Sequence, residues 1–334
     1  MTLVSNSLMH RYMQICRGNA RNMAIKTILA LTPGHPGQLE ELEKDFQILR
    51  LWREDRPEDA IRKHSNNIVA LTTFLAPVRE QLIQALPNLE IIAVGAVGID
   101  HIDVQAASKR NIVVTNTPDV LTDDTADLGM TLILTLLRRV VEGDAFIRAG
   151  LWNAQSFPLG RSPKGKTLGI VGMGAIGQAL AKRAEAFGMH VHYTGPNDKN
   201  VHYTYTSDLV DLASKSDVLA LTCSANESTY DLIDYNVLGH LGAKGFLVNI
   251  ARGSVVKQDD LLVALNNRII AGAALDVFED EPQVPDAFFS MDNVVLSPHI
   301  GSATYETRLK MGKLVVRNIK ACLNGQKILN SVSA

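Results

Sequence analysis

Thr167-Leu168-Gly169-Ile170-Val171-Gly172-Met173-Gly174-Ala175-Ile176-Gly177 is the stretch on which the fold of this chain turns. A short apolar run, residues 167–171, leads into three glycines at G-x-G-x-x-G spacing, and a helix-forming stretch, residues 178–187, follows directly. Glycine triplets occur by chance, but a strand before and a helix after give this one a physical reading. Gly172 permits a tight turn, Gly174 lets the backbone approach a pyrophosphate, and Gly177 lets the helix pack closely on the sheet. The loop, Ala175 and Ile176 included, opens that helix, so the free amides and the positive end of its dipole face the same phosphates. The loop predicts a dinucleotide-binding domain of the doubly wound, Rossmann kind.

Working outward, further short apolar runs at residues 189–193, 218–221, 246–250, 272–275 and 294–296 complete a set of six strands separated by helical segments, the count of a doubly wound dinucleotide fold. Upstream, runs at 26–31, 46–51, 67–71, 90–94 and 111–115 alternate with polar segments of helical length. Nearly continuous apolar strands of this kind indicate a second parallel sheet covered on both faces. Thr117-Pro118 breaks that pattern, and Thr122, with acids behind it, fits the N-cap of a long helix to about Gly150. Residues 304–323 read as one amphipathic helix, through Leu309, Met311, Leu314, Val315, Ile319 and Leu323, that folds back onto the first domain. The expected domains are therefore 24–117 with 303–334, and 118–302, with a cleft between them.

Composition narrows the partners. At 334 residues the chain exceeds what one core accommodates. Lys plus Arg number 33 against 35 acids, with no long run of either sign, so an electrostatic footprint for nucleic acid or an anionic membrane is absent. No apolar stretch reaches a membrane span, because residues 130–137 run into Arg138 and Arg139. Cys16, Cys223 and Cys322 are far apart and without metal-ligand spacing, which suits reduced thiols in a cytoplasmic protein and no bound metal. Residues 1–23 carry three arginines and no acid but lack a secretory apolar core, and read as a flexible extension. The partner expected is a small molecule.

Cofactor choice is written at the end of the next strand, where an acid would bind the adenosine ribose. Here the chain has Gly195-Pro196-Asn197. A missing carboxylate removes both the acceptor that favours NAD and the repulsion that excludes a 2′-phosphate, and Lys199 can approach that phosphate. Nearby Asp198, and the lack of an arginine for a bidentate clamp, speak for NAD. The balance tilts to NADP.

Three residues late in the chain each follow a strand, where α/β enzymes place their ligands. Arg252 stands in Asn249-Ile250-Ala251-Arg252-Gly253, Glu281 in Asp276-Val277-Phe278-Glu279-Asp280-Glu281-Pro282, and His299 in Leu296-Ser297-Pro298-His299-Ile300-Gly301. Singly, each has a structural reading: a strand cap, a solvated loop acid, a histidine satisfying a carbonyl. Together behind a dinucleotide loop they form a cation and an acid/base pair suited to hydride-transfer chemistry.

These motifs, in this order, closely resemble those of the D-isomer-specific 2-hydroxyacid dehydrogenases, over nearly all of residues 25–325. The resemblance implies a Rossmann dinucleotide domain beside a flavodoxin-like substrate domain. It implies that Arg252 grips the carboxylate and polarises the keto oxygen of a 2-oxoacid. His299 would protonate the carbonyl oxygen as hydride arrives, a task suited to an imidazole. Glu281 would hydrogen-bond the other ring nitrogen and favour the imidazolium. By the same resemblance the amides of Val97 and Gly98, in Gly95-Ala96-Val97-Gly98-Ile99-Asp100-His101, hold the substrate carboxylate. Thr125 would line the nicotinamide site, and Asp276 would accept a hydrogen bond from the carboxamide.

Phe157-Pro158-Leu159-Gly160, Thr194-Gly195 and Ser297-Pro298-His299-Ile300-Gly301-Ser302-Ala303-Thr304 are similar to the glyoxylate, hydroxypyruvate and hydroxyphenylpyruvate reductase branch. That implies reduction of a small 2-oxoacid, and a homodimer formed through residues 122–150 and the segment after them. Formate oxidation does not fit, since those relatives carry a glutamine where Glu281 stands. From another class, a nucleotide-sensing binding protein of the corepressor type shares this scaffold, although this compact sequence lacks the disordered flanks such proteins use.

Overall fold

A computed structural model describes residues 26–332, and the extension expected at residues 1–23 lies outside the described residues. The chain divides into two compact units, one running up to Thr117 and resuming at Gly312, the other spanning Pro118–Met311.

In the first unit β1 (Thr27–Ala30), β2 (Gln47–Arg50), β3 (Ile68–Thr73), β4 (Ile91–Val94) and β5 (Val113–Thr115) lie parallel in the order β5-β4-β3-β1-β2. Read from the far edge this is the flavodoxin-like order. Successive residues point to opposite faces. Ile28, Ala30, Ala70, Ile91 and Ala93 pack with Val315, Val316 and Ile319 of the helix Tyr305–Leu323, while Leu29, Leu71, Ile92 and Val94 fill a second cluster. Burial on both faces is why these strands read as unbroken apolar runs. A further strand, Ser331–Val332, runs antiparallel beside β5; at two residues it leaves no periodicity to read.

The second unit holds β6 (Thr167–Val171), β7 (His190–Thr194), β8 (Thr204–Tyr205), β9 (Val218–Leu221), β10 (Phe246–Asn249), β11 (Gly272–Leu275) and β12 (Val294–Leu296), all parallel, in the order β12-β11-β10-β9-β6-β7-β8. This is the doubly wound order of a dinucleotide fold with one more strand at its edge. Seven strands therefore replace the six expected, because β8 is a two-residue pairing of Thr204 and Tyr205 with His192 and Tyr193 that carries no apolar run. Val218 and Ala220 face one core and Leu219 and Leu221 the other, so this sheet too is covered on both sides.

Three local expectations change. The long helix expected from Thr122 to Gly150 is two helices, Thr122–Arg138 and Val140–Arg148, separated by Arg139 in the left-handed region at φ 55°. The segment at residues 160–161 accounts for the break: the Arg161 amide bonds the Leu137 carbonyl at 2.7 Å, taking an acceptor the next helical turn would need. Leu121 occupies the N-cap position with no side-chain cap bond, so Thr122 is the first helical residue and not the cap. The return to the first unit, expected at residue 303, falls between Met311 and Gly312, within the helix Tyr305–Leu323. Its opening turns bond to the second unit, Arg308 Nε to the Ser302 carbonyl at 3.0 Å and Thr307 Oγ1 to the Val120 carbonyl at 3.4 Å. Among the described residues no helix is long and apolar enough to cross a membrane.

Candidate functional site

The glycine loop joins β6 to the helix Ala175–Ala186, and each glycine meets a different constraint. Gly172 adopts φ 99°, and a Cβ there would lie 2.6 Å from Cys223 Cα in the loop after β9. At Gly177 a Cβ would sit 2.3 Å from the Gly172 carbonyl oxygen, so the helix starts against its own turn. Gly174 differs: nothing lies within 4 Å of its Cβ direction, it is exposed, and as N-cap it offers no side chain to the helix amides. A glycine with no protein neighbour to avoid, at the uncapped start of a 12-residue helix, fits a site for a dinucleotide pyrophosphate. Ala175 and Ile176 form the first turn of that helix. Cys223 contributes backbone here and no chemistry, since burial pushes its thiol up to about 11.

Gly195 and exposed Asn197 follow directly at the end of β7. Asp198 accepts from the Tyr193 hydroxyl and from the Asn200 amide at 3.0 Å.

Across the carboxyl edge of the same sheet, three strands present the Arg, Glu and His. After β10, buried Asn249 shapes the turn: its Oδ1 accepts the Ala251 amide at 3.0 Å, and its Nδ2 donates to the Arg252 carbonyl at 2.9 Å. Arg252 is extended and its Nη1 donates to the Ala251 carbonyl at 2.8 Å. Gly253 lets this turn lie on the backbone that follows β11, for a Cβ there would be 2.0 Å from the Phe278 carbonyl.

That backbone leads to Glu281. Its Oε1 accepts the Phe278 amide at 3.0 Å and its Oε2 meets His299 Nδ1 at 2.6 Å. The two side chains are 27% and 24% exposed, so the pair is reachable but largely desolvated. His299 holds φ 52°, a left-handed conformation that is costly for a residue with a Cβ. The loop keeps it there through Asp276, 2% exposed, which accepts from the Ser297 hydroxyl, from the Ile300 amide at 2.8 Å and from the Gly301 amide at 2.9 Å. Thr125 Oγ1 closes the other side, donating to the Gly301 carbonyl at 3.1 Å. Asp276 Oδ1 receives two of those donors and Oδ2 one, which leaves Oδ2 capacity for one further donor.

The two carboxylates titrate in opposite directions. Burial raises Glu281, but the hydrogen bond and charge of His299, the Phe278 amide and the Arg252 guanidinium outweigh it and hold the carboxyl below the usual range. The Arg252 turn reaches this neighbourhood through Gly253, which packs on the Phe278 carbonyl, three residues before Glu281. For Asp276 burial prevails over the loop's donors, and the carboxyl stands above its usual value. Arg252, Glu281 and His299 are thus brought together with Thr125 and Asp276, and the glycine loop starts from the same sheet edge. Val97 and Gly98 belong to the first unit, after β4, where Asn116 Nδ2 fixes the Val97 carbonyl at 2.9 Å.

Sequence reading passed over Asn249, Gly253, Ser297 and Gly301. All four lie inside the quoted motifs, but their work is to shape backbone, and only the titratable centres of those motifs announce a chemistry.

Hydride chemistry asks for a dinucleotide cradle and a proton donor on one sheet edge, and the second unit sets a G-x-G-x-x-G loop and a His–Glu pair there, features of the class of dinucleotide-dependent dehydrogenases. Comparison with known proteins makes the class specific. Residues 130–301 match the family "D-isomer specific 2-hydroxyacid dehydrogenase, NAD binding domain". Glyoxylate/hydroxypyruvate reductase A of Arabidopsis thaliana is 45% identical over 307 residues, 91% of this chain and 98% of its own length. Hydroxyphenylpyruvate reductase of Plectranthus scutellarioides is 42% identical, again over 91% of this chain and 98% of its own. Among solved structures, the NADPH-dependent glyoxylate/hydroxypyruvate reductase of Sinorhizobium meliloti, in complex with NADP and malonate, superposes with a TM-score of 0.86 at 39% identity, covering 92% of this chain and 96% of that one. The chain belongs to the D-isomer-specific 2-hydroxyacid dehydrogenase family.

Proposed function

We propose that this protein reduces small 2-oxoacids, glyoxylate, hydroxypyruvate or a related acid, to D-2-hydroxyacids, as a member of the glyoxylate/hydroxypyruvate reductase-like branch. The dinucleotide, when bound, supplies the hydride that reduces the carbonyl carbon. Arg252 grips the substrate carboxylate and draws charge onto the keto oxygen. His299, through Nε2, gives its proton to that oxygen, and in the oxidative direction takes it back. Glu281 engages Nδ1 and fixes the orientation of the ring. Val97 and Gly98 contribute backbone amides to the carboxylate. Gly172, Gly174, Ala175, Ile176 and Gly177 hold the pyrophosphate, Gly195 and Asn197 meet the adenosine ribose, and Thr125 and Asp276 Oδ2 receive the nicotinamide end.

The observation that carries this reading is the 2.6 Å contact of His299 Nδ1 with Glu281 Oε2, which leaves the other ring nitrogen without a hydrogen-bond partner among the described residues and so available to a substrate. A preference for NADPH over NADH draws support from Gly195-Pro196-Asn197 and from the engagement of Asp198 elsewhere. A homodimer draws support from exposed Val140, Val141, Ile147, Trp152 and Leu159, the last 95% exposed, which lie along the helix Val140–Arg148 and the segment after it. The half-buried cysteines Cys223 and Cys322, free and apart, suit the reducing cytoplasm. The corepressor-type reading finds no support in relatives named as reductases.

The test is a panel of glyoxylate, hydroxypyruvate and aryl pyruvates, each assayed with NADPH and with NADH. Oxidation of either dinucleotide with at least one of these acids, faster with NADPH, is the expected result. Absence of turnover with all of them would overturn the reading.

A further inference from the structure

The loop after β7 contains one carboxylate among residues 195–200, that of Asp198, and the protein has fastened it. Tyr193, the penultimate residue of β7, is fully buried, and its hydroxyl rises beneath the loop. That hydroxyl donates to Asp198 Oδ1 and accepts the Lys199 amide at 2.9 Å, while Asp198 Oδ1 also accepts the Asn200 amide at 3.0 Å. A second tyrosine braces the first: Tyr205 of β8 lies 5.3 Å from Tyr193 ring to ring and donates its hydroxyl to the Gly195 carbonyl at 3.0 Å. The two-residue strand β8 thereby acquires a purpose, since it sets Tyr205 beside the loop. Lys199, its amide fixed by the same hydroxyl, is exposed and makes no ion pair among the described residues.

A carboxylate at this end of a dinucleotide fold selects against a 2′-phosphate in two ways: it bonds the ribose hydroxyls, and it repels the phosphate. Both need a side chain able to turn to the ribose. We propose that Tyr193 is a positioning residue for cofactor choice: by holding Asp198 through its hydroxyl it denies the loop an NAD-type acid and leaves Asn197 and Lys199 to receive a 2′-phosphate. The inference rests on the NADPH preference proposed above. Bound to two donors at one oxygen, Asp198 is held by hydrogen bonds that a freely rotating loop acid would lack. A hydroxyl buried in the sheet is a firmer anchor than a surface side chain, because burying it without a partner is costly. Replacing Tyr193 by Phe keeps the ring, its packing on Tyr205 and the apolar core, and removes only the oxygen.

The experiment measures dissociation constants of NADPH and NADH by fluorescence quenching or calorimetry, without substrate, for the full-length protein and for Tyr193→Phe, Asp198→Asn and the double variant. The unmodified protein is expected to bind NADPH the more tightly. In Tyr193→Phe the ratio of the two constants should move toward NADH by about tenfold, the scale of one charge-assisted contact changing sides. Asp198→Asn should keep the NADPH preference, and adding it to Tyr193→Phe should restore that preference, because the released group is then no longer an acid. An unchanged ratio in Tyr193→Phe, or a double variant that stays shifted toward NADH, overturns the inference while the NADPH reading stands. Tighter binding of NADH by the unmodified protein overturns the NADPH reading itself. Should Tyr193→Phe fail to fold, Asp198→Asn decides: a loss of NADPH preference there overturns the inference, and a retained or stronger preference supports it.

Discussion

Two loops at the carboxyl edge of one sheet are built on opposite principles. The loop after β6 works by what its side chains lack: Gly172 and Gly177 omit a Cβ to let backbone meet backbone, and Gly174 omits one where no protein atom stands within 4 Å. The loop after β12 works by what side chains supply, with Asp276 gathering Ser297, Ile300 and Gly301 to hold His299 at φ 52° against Glu281. Binding a pyrophosphate needs many aligned amides and no particular side chain. Moving a proton, the task proposed for His299, needs one nitrogen at one place, which a strained backbone and a desolvated carboxylate can fix.

The difference can be broken or sharpened by substitution. Arg252→Ala should lower kcat/KM by about 10³-fold, the scale of losing a transition-state donor, and leave NADPH affinity within about twofold if the guanidinium serves substrate as proposed. A comparable loss of cofactor affinity would assign it to the other loop. Gly177→Ala should reduce stability by about 1–3 kcal/mol in urea unfolding, the cost of an overpacked contact, because its Cβ meets the Gly172 carbonyl at 2.3 Å. Gly174→Ala should leave the unfolding midpoint unchanged and weaken dinucleotide binding about tenfold, or 1.4 kcal/mol. If both glycine variants lost stability alike, the distinction between a packing glycine and a binding glycine would fail.

Glu281→Gln gives the smallest and most diagnostic effect. Removing the carboxylate at Nδ1 should lower kcat by about tenfold, or 1.4 kcal/mol, with NADPH affinity unchanged, because the imidazole loses the contact that orients it. Stability carries a second signature. The folded-state pKa of Glu281 is depressed, so its contribution is present above the unfolded carboxyl value and is lost as pH falls through the lower folded one. Acidification below about pH 4.5 should therefore destabilise the parent protein more than Glu281→Gln. Equal acid sensitivity would remove the His299–Glu281 pair from the folded-state electrostatics.

How much of this was legible in sequence follows from the same contrast. The glycine loop announces itself, because its function is a spacing of residue types and the spacing is written linearly. Both parallel sheets are legible for a similar reason: with two faces buried, their strands are runs of Ile, Leu, Val and Ala bounded by polar turns. Arg252, Glu281 and His299 stand out only through the motifs around them, and nothing in the chain says that Asp276 folds the His299 loop, since its carboxylate bonds donors 21, 24 and 25 residues further on. The break at Arg139 escapes sequence for the same reason, its cause being the Arg161 amide on the Leu137 carbonyl. β8 and the strand Ser331–Val332 are too short to leave a period.

The central claim is that His299, oriented by Glu281, delivers the proton that accompanies hydride transfer to a 2-oxoacid. Its most direct test is a single-turnover measurement of NADPH oxidation by a saturating 2-oxoacid in the parent protein and in His299→Ala, with NADPH affinity measured in parallel. The account requires the rate to fall by about 10²–10⁴-fold while NADPH binds as before. A His299→Ala protein that oxidises NADPH at the parental rate would contradict it.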